Sequence, residues 1–95
     1  MVSEEVSCAK VYVPVRVAFD ECGHMYPYAI EWEDGRRYRI DAVLDVRPSY
    51  AAKAGGQGDR YTVRSGGKET YLFFEHSADQ TDRVTGRWFV ERREI

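Results

Sequence analysis

The stretch Arg60-Tyr61-Thr62-Val63-Arg64-Ser65-Gly66-Gly67-Lys68-Glu69-Thr70-Tyr71-Leu72-Phe73-Phe74 decides how this chain folds. Tyr61 and Val63 alternate with Arg60, Thr62 and Arg64, the period of a strand with one buried face. Gly66-Gly67 supplies the two positive-φ positions of a tight hairpin turn. Side chains directly opposite one another share a face, so the turn fixes the register. With Ser65 opposite Lys68, Val63 meets Thr70, Tyr61 meets Leu72 and Arg64 meets Glu69. Thr70, Leu72 and Phe74 then join Tyr61 and Val63 on the core side, and Tyr71 and Phe73 fall beside Arg60, Thr62 and Arg64. Both faces of the returning strand, Lys68 to His76, are therefore apolar. Soluble monomers seldom leave such a patch uncovered. Three coverings fit: the closing strand with Phe89 folded back, a second copy of the chain, or a foreign partner.

Towards the amino terminus, Val11, Val13, Val15, Val17 and Phe19 alternate with Tyr12, Pro14, Arg16 and Ala18, which predicts a half-buried strand from Lys10 to Phe19. Pro14 has no N–H for a ladder, and this places the strand at an edge or at a bulge. After a turn at Asp20-Glu21-Cys22-Gly23-His24, Tyr26, Tyr28, Ile30 and Trp32 alternate with Pro27, Ala29, Glu31 and Glu33. A third strand carries Tyr38, Ile40, Ala42, Leu44 and Val46 on one face and Arg37, Arg39, Asp41, Val43 and Asp45 on the other. A two-residue Asp34-Gly35 loop would set Trp32 against Arg37, a mismatch of faces. A three-residue loop, Glu33-Asp34-Gly35, pairs Ile30 with Tyr38, Tyr28 with Ile40 and Glu31 with Arg37, with Gly35 in the left-handed bulge conformation.

From Arg47 to Asp59 the alternation stops, and Pro48, Gly55, Gly56 and Gly58 predict a loop with at most a helical turn over 50–54. Ser77 to Gly86 is polar and acidic and reads as a mobile loop. Arg87-Trp88-Phe89-Val90-Glu91 closes the chain as a sixth strand. If Leu44 meets Tyr61 and Ala42 meets Val63, then Asp45 meets Arg60 and Asp41 meets Arg64 as cross-strand ion pairs. The expected fold is all-β: a six-stranded antiparallel meander closing into a small SH3-like barrel or a two-layer sandwich. Residues 1–9 read as a flexible amino-terminal segment and residues 10–95 as a single domain.

Composition agrees with strands. There are 11 Val and 13 aromatic residues against two Leu, a mixture suited to pleated, half-buried surfaces. Ninety-five residues support one core, which excludes a two-domain enzyme. The net charge of -2 excludes a polybasic, histone-like protein. The charge is unevenly spread, however: residues 1–34 sum to -5, residues 35–68 to +5 and residues 69–95 to -2. Glu4 and Glu5 precede any apolar run, so the expected compartment is the cytoplasm. The longest large-apolar run, Tyr71-Leu72-Phe73-Phe74, falls far short of the ~20 residues of a membrane helix, and no membrane partner is expected. Cys22 on a turn tip and Cys8 on a loosely held terminus read as reduced thiols.

Four stretches also carry a resemblance: Trp32-Glu33-Asp34-Gly35-Arg36-Arg37-Tyr38, Asp41-Ala42-Val43-Leu44-Asp45-Val46-Arg47, Gly67-Lys68-Glu69-Thr70-Tyr71-Leu72-Phe73-Phe74-Glu75 and Trp88-Phe89-Val90-Glu91. Through them the chain, from Val11 onward, resembles a family of short uncharacterised bacterial proteins. That resemblance implies a compact all-β protein and transfers no catalytic residues. The order of a Tyr-rich strand, a Val-Leu strand, a long loop and a closing Trp strand is also similar to a small domain of unknown function associated with Y-family DNA polymerases. This second likeness implies nucleic-acid or repair-complex binding, by analogy.

Chemistry is thinly signalled. Cys8, Cys22, His24 and His76 are potential zinc ligands, but Cys22 and His24 are separated by one residue where two to four are usual, so no metal is expected. Gly55-Gly56-Gln57-Gly58 lacks the Gly-Lys-Ser/Thr ending of a phosphate loop and leads into a strand rather than a helix. Asp41, Asp45, His24 and His76 assemble no nucleophile, base and orienter. The expectation is a non-catalytic binding module without a cofactor, using a sheet face for a protein partner or self-association. Tyr71, Phe73, Arg60, Arg64, Arg37 and Arg39 are its candidate binding residues. The alternative is a nucleic-acid-binding accessory domain, related to DNA repair or RNA, that uses the basic residues of 35–68.

Overall fold

The computed structural model describes residues 7–51, 56–77 and 84–94. Within them the chain forms eight strands: β1 (Ser7–Tyr12), β2 (Val15–Phe19), β3 (Met25–Glu31), β4 (Arg37–Arg39), β5 (Ala42–Ala51), β6 (Gly56–Ser65), β7 (Lys68–His76) and β8 (Gly86–Glu94). The order β1-β8-β7-β6-β5 makes an open five-stranded sheet, and β2-β3-β4 makes a separate three-stranded one. All paired strands are antiparallel. The fold is thus all-β and antiparallel, but the expected six strands are eight and the sheet does not close into a barrel.

The two extra strands arise where single expected strands change sheets. The Lys10–Phe19 strand breaks at Val13-Pro14. Val13 N–H donates to the Trp88 carbonyl in the large sheet (3.0 Å), and the Pro14 carbonyl accepts from Glu31 N–H in the small one (3.0 Å). Proline suits this corner because its nitrogen has no donor to satisfy. The return crossing breaks the expected third strand at Ile40-Asp41: Ile40 N–H donates to the Tyr28 carbonyl (2.9 Å) and Asp41 N–H to the Arg64 carbonyl (2.8 Å). A period-2 pattern continues through such a corner, so alternation alone reads as one strand.

Both hairpins derived by parity form as expected. Ser65 pairs with Lys68, Val63 with Thr70, Tyr61 with Leu72 and Arg64 with Glu69. Ile30 pairs with Tyr38 and Glu31 with Arg37, and Gly35 takes φ +83°. The expected loop from Arg47 to Asp59 is corrected: β5 continues through Ala51 and β6 begins at Gly56, with Pro48 opposite Asp59 on an edge strand. The proposed helical turn over 50–54 lies largely outside the described residues, as does most of the acidic loop before Gly86. Ser7 to Ala9, expected to precede the domain, pair with Glu94 to Arg92.

Between the sheets lies one core. Ile30 comes from the small sheet, Val13 and Ile40 from the two crossings between the sheets, and Tyr61, Val63, Leu72, Phe74 and Trp88 from the large sheet. Val63 and Leu72 are fully buried. Burial, together with the Asp59 carboxylate, pushes the Tyr61 phenol up and keeps it neutral. Arg92 reaches the Glu33 carboxylate at 3.2 Å and links the two sheets at the surface.

Candidate binding face

Because Phe74, Trp88 and Leu72 point into the core, their neighbours Phe73, Phe89 and Tyr71 point out of the opposite side of the five-stranded sheet. Register places Tyr12, Phe89, Phe73, Arg60 and Arg47 in one cross-strand row on that outer side. The rings of Tyr12 and Phe89 meet edge to face at 5.8 Å, Phe73 stacks on Phe89 at 4.9 Å, and Tyr71 follows 6.4 Å from Phe73. Phe89, hemmed in by its neighbours, is only 3% exposed, whereas Tyr12 and Tyr71 are 40% and 50% exposed. Three cations lie over this row: Lys10 on Phe89 (4.8 Å), Arg60 on Tyr71 (4.6 Å) and Arg87 on Tyr12 (3.9 Å).

One carboxylate organises the Tyr12 end. Glu75 accepts from Lys10 Nζ (3.0 Å), Tyr12 OH (3.0 Å) and Arg87 Nη2 (3.3 Å), with its side chain 14% exposed. Its burial works to raise the carboxyl, but the hydrogen bonds from Lys10 and Tyr12 and the charges of Lys10 and Arg87 prevail and hold it below the usual glutamate range. Lys10 and Arg87 thereby share one carboxylate and together with it keep one net positive charge.

Arg60 differs. Its Nε is buried and finds no hydrogen-bond acceptor among the described residues. The expected Asp45–Arg60 and Asp41–Arg64 pairs do not form: Ala42 rather than Asp41 faces Arg64, so the register is already one residue from the expected one, and a bulge at Leu44 shifts it by one more, so that Asp45 faces Thr62 and Arg47 faces Arg60. Asp45 bonds Arg47 instead (2.7 Å), and Asp41 accepts from Gly66 N–H (3.1 Å).

Four of the six candidate residues, Tyr71, Phe73, Arg60 and Arg64, thus share the outer face. Arg37 and Arg39 do not join them; both are exposed on β4, in the other sheet. Arg37, Arg16 and Glu31 line a shallow cleft of about 230 Å³. Sequence reasoning missed Lys10, Tyr12, Glu75, Arg87 and Phe89. Tyr12 was visible as an outward residue beside Val11 and Val13, but its place next to Phe89 depends on pairing the two ends of the chain. Phe89 covers Phe73 from the adjacent strand, side by side, rather than by folding over it.

The remaining polar clusters are local. Asp20 caps the β2–β3 turn, accepting from Cys22 N–H (2.9 Å) and His24 N–H (2.8 Å), and its carboxylate contacts His24 Nδ1 at 3.0 Å. These backbone and imidazole partners lower its pKa. His76 Nε2 lies 3.0 Å from Asp59. Cys22 is an exposed free thiol, and the Cys8 side chain is outside the described residues. No three His, Cys, Asp or Glu among the described residues gather as a metal site. Gly56 and Gly58 belong to β6 rather than to an anion-binding loop; a Cβ at Gly58 would stand 2.6 Å from the Phe74 carbonyl oxygen. No described helix is long and apolar enough to cross a membrane. Set against protein-family models, curated proteins and solved structures, the chain matches none.

Proposed function

We propose that the chain is a non-catalytic binding module whose outer sheet face engages a protein, either a foreign one or a second copy. The observation that carries this reading is the continuous row of Tyr12, Phe89, Phe73 and Tyr71 on the face opposite the core, with both terminal tyrosines exposed. Aromatic residues and arginine dominate the binding energy of protein interfaces, the aromatics because they supply large rigid area at small entropic cost and arginine because its planar fork makes several hydrogen bonds at once. Strand addition at β5 is disfavoured by its Leu44 bulge, its Pro48 and its Asp45–Arg47 pair, the devices by which edges resist pairing. The outer face, rather than the β5 edge beside it, is the surface we assign to a partner.

Nucleic-acid binding is the second reading, favoured by the Arg60–Tyr71 stack, which resembles a base-stacking platform. Against it, carboxylates are interspersed among the cations of this face, Glu75 with Lys10 and Arg87 and Asp45 with Arg47, and they repel a polyanion.

The test is photo-crosslinking in the source cells, with benzoylphenylalanine placed at Tyr71 and, as a control, at the exposed Tyr28 of the small sheet. A discrete protein adduct at position 71 and none at 28 is expected; an adduct of twice the chain mass identifies a second copy. Equal labelling at both positions, or none at 71, contradicts the reading.

A further inference from the structure

Resting on that reading of the outer face, we infer that Arg60 is an anion anchor for a linear segment of a protein partner, one that presents a single Asp or Glu side chain beside an apolar residue. Arg60 is fixed in place: its guanidinium lies 4.6 Å from the Tyr71 ring centroid, and its Nε is buried without an acceptor. The Nε is closed to solvent, so an incoming carboxylate meets the two terminal Nη nitrogens, which are not buried and form no hydrogen bond among the described residues. Arg47 stands directly opposite Arg60 across β5 and β6, and like charges in opposed positions repel. Asp45 answers the charge of Arg47, and no carboxylate answers that of Arg60 among the described residues.

The arrangement of charges selects the class of anion. On this face Lys10 and Arg87 share Glu75, Arg47 pairs with Asp45, and Arg64 has Glu69 directly opposite, without an ion pair. Arg60 alone among these described cations has neither a bonded nor a facing carboxylate. A nucleic-acid strand repeats its charge and is poorly matched to cations interspersed with Asp45, Glu69 and Glu75, whereas one carboxylate meets the planar guanidinium fork through two parallel hydrogen bonds. Tyr71 and Phe73, beside Arg60, supply the apolar surface for the residue next to that carboxylate.

The experiment is selection of a phage-displayed random peptide library on the wild-type protein, followed by affinity measurements with a synthetic consensus peptide. The expected consensus holds one acidic position within two residues of an aromatic or large aliphatic one. Arg60→Gln, or Glu→Gln in the peptide, should each weaken binding about tenfold or more, and combining the two should add little further loss. Arg60→Lys, which keeps the charge and removes the fork, should fail to restore affinity. A consensus without an acidic position that still requires Tyr71 overturns the anchor and leaves the binding face standing. Peptides indifferent to Tyr71→Ser, or no enriched peptide, overturn the face itself. Tighter binding of a thymidine oligonucleotide, with a salt dependence of more than about two phosphates, overturns the commitment to a peptide.

Discussion

Phe73 and Phe89 stack across β7 and β8 with ring centroids 4.9 Å apart and planes 7° from parallel. They lie on the side of the sheet away from the core, where Phe89 is 3% exposed because Tyr12, Phe73 and Lys10 surround it. The outer face therefore has a buried centre and exposed ends, and its parts should respond differently to substitution.

Phe73→Ser removes one ring of the stack and uncovers Phe89. A loss of about 2 kcal/mol is expected, about 8–16 °C in Tm for a domain of this size. Thermal unfolding followed by circular dichroism measures it, and a shift below about 2 °C would show the stack to be incidental.

Glu75 ties stability to pH. Its carboxyl is held below the ordinary value of 4.5, so its contribution is fully present above that value and is lost as the pH falls through the lowered one. Glu75→Gln should lower Tm near neutrality, and its gap to wild type should narrow on acidification below pH 4.5. A gap that stays constant down to strong acid contradicts the assignment.

Gly86 sits where a side chain has no room. A Cβ there would stand 2.5 Å from the Phe74 ring and would also meet the Glu75 carbonyl oxygen. Gly86→Ala should cost about 1–3 kcal/mol through overpacking, read by urea unfolding. An unchanged midpoint would mean that β8 does not approach β7 as described.

Cys22 is exposed on its turn. In folded protein purified without reductant it should react promptly with a thiol reagent. Reaction only after reduction would contradict a free thiol.

The hairpins were legible because their signals are local. Gly66-Gly67 and Glu33-Asp34-Gly35 each fix a register by parity alone, and this places Tyr71 and Phe73 on the face opposite Leu72 and Phe74. The sheet changes at Pro14 and Asp41 were not legible, since alternation runs unbroken through both. The β5–β6 register was not legible for the same reason: no tight-turn signal fixes it, it starts one residue from the expected pairing, and the bulge at Leu44 adds another without altering the alternating sequence. The Tyr12 end of the binding face rests on β1 pairing with β8, a contact between residues about eighty positions apart that no local pattern encodes.

The most direct test compares Tyr71→Ser with Leu72→Ala by urea unfolding, because these adjacent residues face opposite sides of one strand. Leu72 is fully buried, and its truncation should cost about 2–5 kcal/mol. Tyr71 is half exposed; its loss removes a cation–π contact of about 0.5–1 kcal/mol but lets water reach the buried Arg60 Nε, so stability should change by less than about 1 kcal/mol. A loss above about 2 kcal/mol in Tyr71→Ser would show that the outer row holds the fold together, and would contradict a face kept for a partner.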